Sequence, residues 1–304
     1  MKFGMIGLGK MGLNLVKNAV DHGNKIVAFD LNSDAVKNAD SYSSFVTGAK
    51  DIDELIEKLP NPKIIWLMLP AGEITDSMVT QLSKKLKAGD ILIDGGNSNY
   101  KENLRQNVLL EENGIKFFDA GTSGGMDGAR RAGNFMIGGN DVESWEIIEP
   151  LFADLSENGA YLFTGKIGSG HYLKMIHNGI EYGMMQAIAE GFEILEASDY
   201  DYDYEKVANL WNHGSVVRSW LMELAEEAFK KDPKLTEIAG RMHASGEGKW
   251  AIEEALEYNV PAPVIALSLM MRNRSMQSDT FTGKVVAALR NGFGGHAVDL
   301  VEKK

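Results

Sequence analysis

Short apolar runs alternate with amphipathic stretches through the first half of the chain. Runs at 2–6, 25–30, 63–69, 90–94, 115–119 and 160–163 predict strands, and the segments 10–22, 51–58, 75–87, 98–113 and 141–154 carry helical periodicity. Strand and helix in strict alternation predict βαβ units around a parallel sheet covered on both faces. Beyond residue 170 the pattern changes. Segments near 171–198, 204–213, 216–230, 247–258 and 262–281 all repeat with helical spacing, and strand runs are missing. The fold class expected is therefore α/β, a Rossmann-type doubly wound N-terminal domain followed by an all-α C-terminal domain. The junction falls at Gly165 to Gly170 (GKIGSG), giving a dinucleotide-binding domain at 1–168 and a helical substrate and oligomerisation domain at 169–304.

Composition agrees with two unlike halves. Of 33 glycines, 22 lie in residues 1–170 and 11 in 171–304, and 304 residues suit two domains. Lys plus Arg total 31 against 43 Asp plus Glu, a net charge of −12. A nucleic-acid surface would be basic, so that partner is excluded, and any anionic substrate must meet local cations. There are no cysteines, which removes disulfides, thiolate nucleophiles and Cys-ligated zinc. The longest apolar run, Ile64 to Leu69, is far too short to span a membrane. The N-terminus enters a patterned segment directly, without a cleavable apolar region. The expectation is a cytoplasmic enzyme with no membrane partner.

Gly7, Gly9 and Gly12 form G-x-G-x-x-G between the first strand and the first helix. The first glycine permits the tight turn, the second admits a pyrophosphate to the backbone, and the third lets helix and strand pack closely. Asp30 closes the second strand, where a carboxylate accepts hydrogen bonds from a ribose diol and repels a 2′-phosphate. Leu31, Asn32 and Ser33 bring no cation. The cofactor expected is NAD, with NADP less favoured; the alternative for Asp30 is a cap on the next helix. Leu8, Met11, Asn32, Leu69, Pro70, Ala71 and Asn97 complete the expected cofactor-binding set.

The most informative segment is Lys174 to Tyr182 (KMIHNGIEY). Lys174, His177, Asn178, Glu181 and Tyr182, at offsets 0, 3, 4, 7 and 8, share one helical face, with Met175, Ile176, Ile180 and Met184 on the opposite arc. A solvated face with a Lys/Glu pair would explain the charges but not the His, Asn and Tyr among small neighbours. The chemistry that suits this stripe is proton transfer at two points of one substrate. A partly desolvated lysine serves as base and then acid, and a carboxylic acid donates elsewhere on the same molecule. Two helical turns separate them by about 10 Å, the reach of a substrate of several carbons.

At this stripe the chain resembles the decarboxylating 6-phosphogluconate dehydrogenase family in its short-chain form. The likeness runs through Ile6 to Gly12 (IGLGKMG), Ile93 to Ser98 (IDGGNS), Ser123-Gly124-Gly125, the stripe itself, Gly248-Lys249-Trp250 and Glu257 to Pro261 (EYNVP). It implies oxidation at the third carbon of 6-phosphogluconate, loss of carbon dioxide, and ribulose 5-phosphate as product. Lys174 is then the base and later the acid, and Glu181 the acid at the first carbon. Asn97, Ser123, Gly124, Gly125, His177 and Asn178 orient the carboxylate and hydroxyls. Tyr182, Lys249 and Arg272 fall at phosphate-binding positions. Arg290 and His296 (RNGFGGH) resemble a C-terminal tail that reaches a neighbouring subunit's phosphate, so a homo-oligomer, dimer or tetramer, is implied. The ketone β to the carboxylate takes up the electron pair, so no metal is implied. In the departures from the family, Asp30-Leu31-Asn32 replaces an Asn-Arg-Thr type sequence, Ala251 removes a threonine hydroxyl, Pro70 replaces a lysine, and the extra helical repeat of the long form is missing.

Two other readings compete. One is a related β-hydroxyacid dehydrogenase for a short acid such as 3-hydroxyisobutyrate, against which Glu181 and Lys249 speak. The other is a non-catalytic NAD and sugar-phosphate sensor, which would not need both Lys174 and Glu181.

Overall fold

The computed structural model describes residues 1–300. The chain opens β1 (Lys2–Ile6), α1 (Lys10–Asp21), β2 (Lys25–Phe29), α2 (Ser33–Asp40), β3 (Val46–Gly48), α3 (Ile52–Glu57), β4 (Ile64–Leu67), α4 (Glu73–Ser83), β5 (Ile91–Asp94), α5 (Tyr100–Glu111) and β6 (Lys116–Ser123). It continues α6 (Gly125–Arg131), β7 (Gly133–Gly139), α7 (Val142–Leu155), β8 (Ser156–Gly165) and α8 (Ser169–Glu196). Then come α9 (Tyr204–Asn212), α10 (Trp220–Lys231), α11 (Glu247–Glu257), α12 (Pro263–Ser275) and α13 (Phe281–Gly294). Packing separates Met1–His177 from Asn178–Lys304.

In the first unit the strands form one sheet in the order β3-β2-β1-β4-β5-β6-β7-β8. Adjacent residues on the central strands serve opposite faces. Ile64, Trp66, Ile91 and Ile93 join one core with α1 and α7, while Ile65, Leu67 and Leu92 join the other with α3, α4 and α5. Two buried faces explain why these strands read as continuous apolar runs. The expectation of a wholly parallel sheet needs correction, because β7 pairs antiparallel to β6. β7 (GNFMIGG) had no strand signal because its glycines serve β6. A Cβ on Gly139 would lie 2.3 Å from the Phe118 ring, and one on Gly138 would lie 2.4 Å from an Asp119 carboxylate oxygen. The short β3, and α2 and α6, also went unforeseen.

The second unit is helical, as the periodicity predicts. Its small core gathers Phe192, Tyr204, Ala208, Met222 and Phe229. The helix expected over 262–281 ends at Ser275, and a further helix not expected from the sequence, α13, follows it, with Thr280 as its cap accepting the Gly283 amide at 3.1 Å. The segment expected from 216 becomes helical only at Trp220, where Ser219 caps it by accepting the Met222 amide. Among the described residues, no helix is long and apolar enough to cross a membrane, and no group of three His, Asp or Glu could hold a metal ion.

Candidate active site

The strand order reverses between β1 and β4, where parallel αβ sheets take ligands at their carboxyl ends. The glycine loop sits there. Gly7 has φ +97°, and a Cβ on it would lie 2.4 Å from the Met68 carbonyl oxygen and 3.0 Å from the Leu69 side chain. A Cβ on Gly12 would lie 2.0 Å from the Gly7 carbonyl oxygen, so this glycine closes the loop on the helix. Gly9 is different: nothing lies within 4 Å of its Cβ position, and it begins α1 with no side-chain cap and no acidic residue in the first turn. Open space before uncapped helix amides fits a pyrophosphate. Met11 is half-buried and packs against the core beneath α1.

Asp30 braces this loop. One carboxylate oxygen accepts the Leu8 amide at 2.7 Å and the other the Asn32 amide at 2.8 Å. The alternative of Asp30 as a helix cap is set aside, because the cap of α2 is Asn32, which accepts the Asp34 amide at 3.0 Å. The Asn32 side-chain oxygen is therefore already engaged. Leu31 is 91% exposed. In the loop after β4, Pro70 and Ala71 are exposed, and Thr75 donates to the Pro70 carbonyl at 2.8 Å. Asn97 is exposed in the loop after β5.

Ser123 ends β6, and its hydroxyl lies 3.2 Å from Nε2 of His177 on α8. Gly124 and Gly125 follow with φ of +102° and +60°, left-handed backbone that glycine adopts without cost. Lys174, one turn before His177, is half-buried, and a Cβ on Gly121 would stand 2.4 Å from its own Cβ. The strand thus touches the lysine's stem.

Buried polar groups that sequence reasoning did not single out support this end of α8. Asp119 and Asn103 are fully buried and His171 is 2% exposed. The Asp119 carboxylate accepts the Gly168 amide at 2.6 Å and the His171 amide at 2.7 Å. His171 Nδ1 lies 2.6 Å from Asn103 Oδ1, and Asn103 donates to Asp94 at 2.8 Å. Asp94 in turn accepts the Gly96 amide in the Asn97 loop. Burial pushes the Asp119 carboxyl up, opposed by His171 and the two amides, with the Asp94 carboxylate adding to the rise. Local sequence carries no sign of this network, since its members come from four separate elements.

In the second unit, α8 continues through Asn178, Glu181 and Tyr182. Gly179 and Gly183 let α11 and α12 approach: a Cβ on Gly179 would lie 3.2 Å from Ala251, and one on Gly183 3.0 Å from Val264. That side of the helix is covered, so Tyr182 is 5% exposed while Ile180 and Met184, on the expected apolar arc, stand open. The Arg272 guanidinium stacks 3.5 Å from the Tyr182 ring centre and donates to the His243 carbonyl at 2.9 Å. The Tyr182 hydroxyl accepts the Ser245 amide at 3.2 Å. Ser245 and His243 were missed because they sit in an irregular loop. Lys249, one residue past the Gly248 that packs on Tyr182, is exposed and 3.4 Å from Glu253. Arg290 lies exposed on α13, and His296 follows it with its ring against Phe293.

Residues 2–165 match the model for the NAD binding domain of 6-phosphogluconate dehydrogenase, and residues 170–289 match that for its C-terminal domain. The chain belongs to the 6-phosphogluconate dehydrogenase family. It is an enzyme of that family's dehydrogenase type, with a domain for NAD or NADP. The Bacillus subtilis protein YqeC is 56% identical over 299 residues, 98% of this chain and 99% of that one. The NAD(+)-dependent, decarboxylating 6-phosphogluconate dehydrogenase of Haloferax volcanii is 40% identical over 300 residues, 98% of each chain. The solved 6-phosphogluconate dehydrogenase of Plasmodium falciparum, described with NADP+ and with 6-phosphogluconate, superposes with a TM-score of 0.84 at 30% identity. That likeness covers 100% of this chain and 67% of the other. A 3-hydroxyisobutyrate dehydrogenase of Mycobacterium tuberculosis, at 20% identity and TM-score 0.71, shares the fold.

Proposed function

We propose that this family member oxidises and decarboxylates 6-phosphogluconate to ribulose 5-phosphate with NAD. The observation that carries the reading is α8, one unbroken helix bearing Lys174, His177, Asn178, Glu181 and Tyr182. Residues 1–168 serve the dinucleotide and 169–304 the substrate and assembly. The nicotinamide of a bound dinucleotide supplies the hydride acceptor. The Lys174 amine takes the hydroxyl proton at the third carbon as that carbon becomes a ketone. Carbon dioxide leaves from the β position, the electron pair moves to the ketone oxygen, and Lys174 returns its proton there. Glu181 then protonates the carbon that lost the carboxylate, while Lys174 accepts the hydroxyl proton released as the enediol becomes a ketone. Asn97, the Ser123–His177 pair, Gly124, Gly125 and Asn178 orient the sugar acid. The stacked Arg272 and Tyr182, with Lys249, supply cationic and hydroxyl partners for a phosphate.

Purified protein given 6-phosphogluconate and NAD should form NADH and release carbon dioxide in equal amounts, without added metal. Turnover of 3-hydroxyisobutyrate with none of 6-phosphogluconate would overturn the reading. The Haloferax relative's NAD dependence supports the cofactor choice, as does the braced Asp30 carboxylate with no cation at 31–33. Asp30→Ala removes the charge that opposes a 2′-phosphate. It should move the NAD-to-NADP ratio of kcat/KM toward NADP by about tenfold or more, because placing like charges together costs upwards of about 1.4 kcal/mol. Affinity for both should fall with the lost Leu8 brace, and an unchanged ratio would remove Asp30 from cofactor selection.

The exposed helix α13 supports assembly as a homo-oligomer. No residue of α13 is buried, and Phe281, Leu289 and Phe293 stand 62–80% exposed. A helix this apolar gains by covering a second copy, where Arg290 and His296 would meet the neighbour's phosphate.

A further inference from the structure

We infer that Asp119 is the positioning residue for Lys174, holding the first turn of α8 on β6 so that the amine is presented at a fixed depth. The inference rests on the reading of Lys174 as the base. Helix N-termini leave amides without partners, and a nearby Ser or Asn usually meets them. Ser169 begins α8, yet its hydroxyl engages Lys166 and Thr164 instead. The amides of Gly168 and His171 go to a carboxylate 49 and 52 residues earlier. Burying a charge is costly, so a cap needed for stability alone would be cheaper from a neutral neighbour.

What the distant carboxylate adds is registry between strand and helix. Asp119 and Gly121 point to the same side of β6, since side chains alternate along a strand. Asp119 holds the amide of His171, one turn before Lys174, and Gly121 meets the stem of Lys174 itself. The surrounding backbone leaves no slack. A Cβ on Gly170 would lie 2.4 Å from the Met136 carbonyl oxygen and 2.8 Å from that of Asp119. Asp119 is fully buried with its oxygens on the Gly168 and His171 amides, so it acts through the helix.

Asp119→Asn keeps the shape but removes the charge and turns an NH2 group toward an amide N–H, so one of the two hydrogen bonds is lost. With 6-phosphogluconate, kcat per folded molecule should fall at least about tenfold while both KM values stay within about twofold, the sign of a misplaced reacting group. Amide hydrogen exchange at 168–174 should accelerate. A merely structural cap would lower the folded fraction and leave kcat per folded molecule unchanged, and that result would overturn the inference. If D119N does not fold, Gly121→Ala asks the same question from the strand: its methyl displaces the lysine stem, and an unaltered kcat would equally overturn it. Lack of turnover by the unaltered chain would refute the base reading instead. Exchange in D119N would then decide the clamp alone, faster upholding it and unchanged rejecting it.

Discussion

Lys174→Met should abolish measurable cofactor reduction if Lys174 is the proposed base, with kcat falling by about 10²–10⁴-fold, the usual worth of a positioned proton-transfer group. Methionine has nearly the length and flexibility of the lysine stem, so the contact with Gly121 is kept and α8 stays seated. What goes is the only amine on the stripe from Lys174 to Tyr182. Stopped-flow absorbance of the reduced cofactor, with circular dichroism to verify folding, checks both halves of the claim. Retained turnover would assign the base elsewhere. Loss of fold would make the lysine a structural residue.

Gly12→Ala is the second large effect, and it acts on the scaffold before the chemistry. The new methyl would stand 2.0 Å from the Gly7 carbonyl oxygen and 3.2 Å from Met68, so either the loop or the helix must shift. Overpacking of this kind costs about 1–3 kcal/mol, and the shifted loop should lose dinucleotide affinity by at least about tenfold. Gly9→Ala separates the two effects. Nothing surrounds its Cβ position, so stability should hold within about 0.5 kcal/mol while the methyl intrudes on the pyrophosphate. Urea unfolding and fluorescence titration with NADH measure each. Equal losses of stability in the two variants would show that the glycines differ in no way that matters.

The sequence disclosed most where one local pattern settles one local structure. The glycine loop, the central strands and the helix of the polar stripe needed only periodicity and turn chemistry. It disclosed least where a residue's identity answers a distant partner. β7 is glycine-rich because Phe118 and Asp119 on β6 fill the space its side chains would take. The break between α12 and α13 depends on Thr280, a polar residue ordinary in either setting. The residues of the stripe do lie on one helix, α8, but which side of that helix its neighbours cover was not legible. Gly179 and Gly183, which lie off the polar stripe, admit α11 and α12, leaving Ile180 and Met184 outside. The Asp119 network could not be read at all, since its members are far apart in the chain.

The glycine seat beneath α8 also restricts how such an enzyme can diversify. Gly121, Gly138 and Gly170 each face backbone or a packed side chain at less than van der Waals distance, so even a methyl group there forces a neighbour to move. Further along the rod the packing is close as well, since a Cβ on Gly248 would lie 2.6 Å from the Tyr182 ring, so a change of substrate range has to come from side chains that stand clear of both glycine contacts.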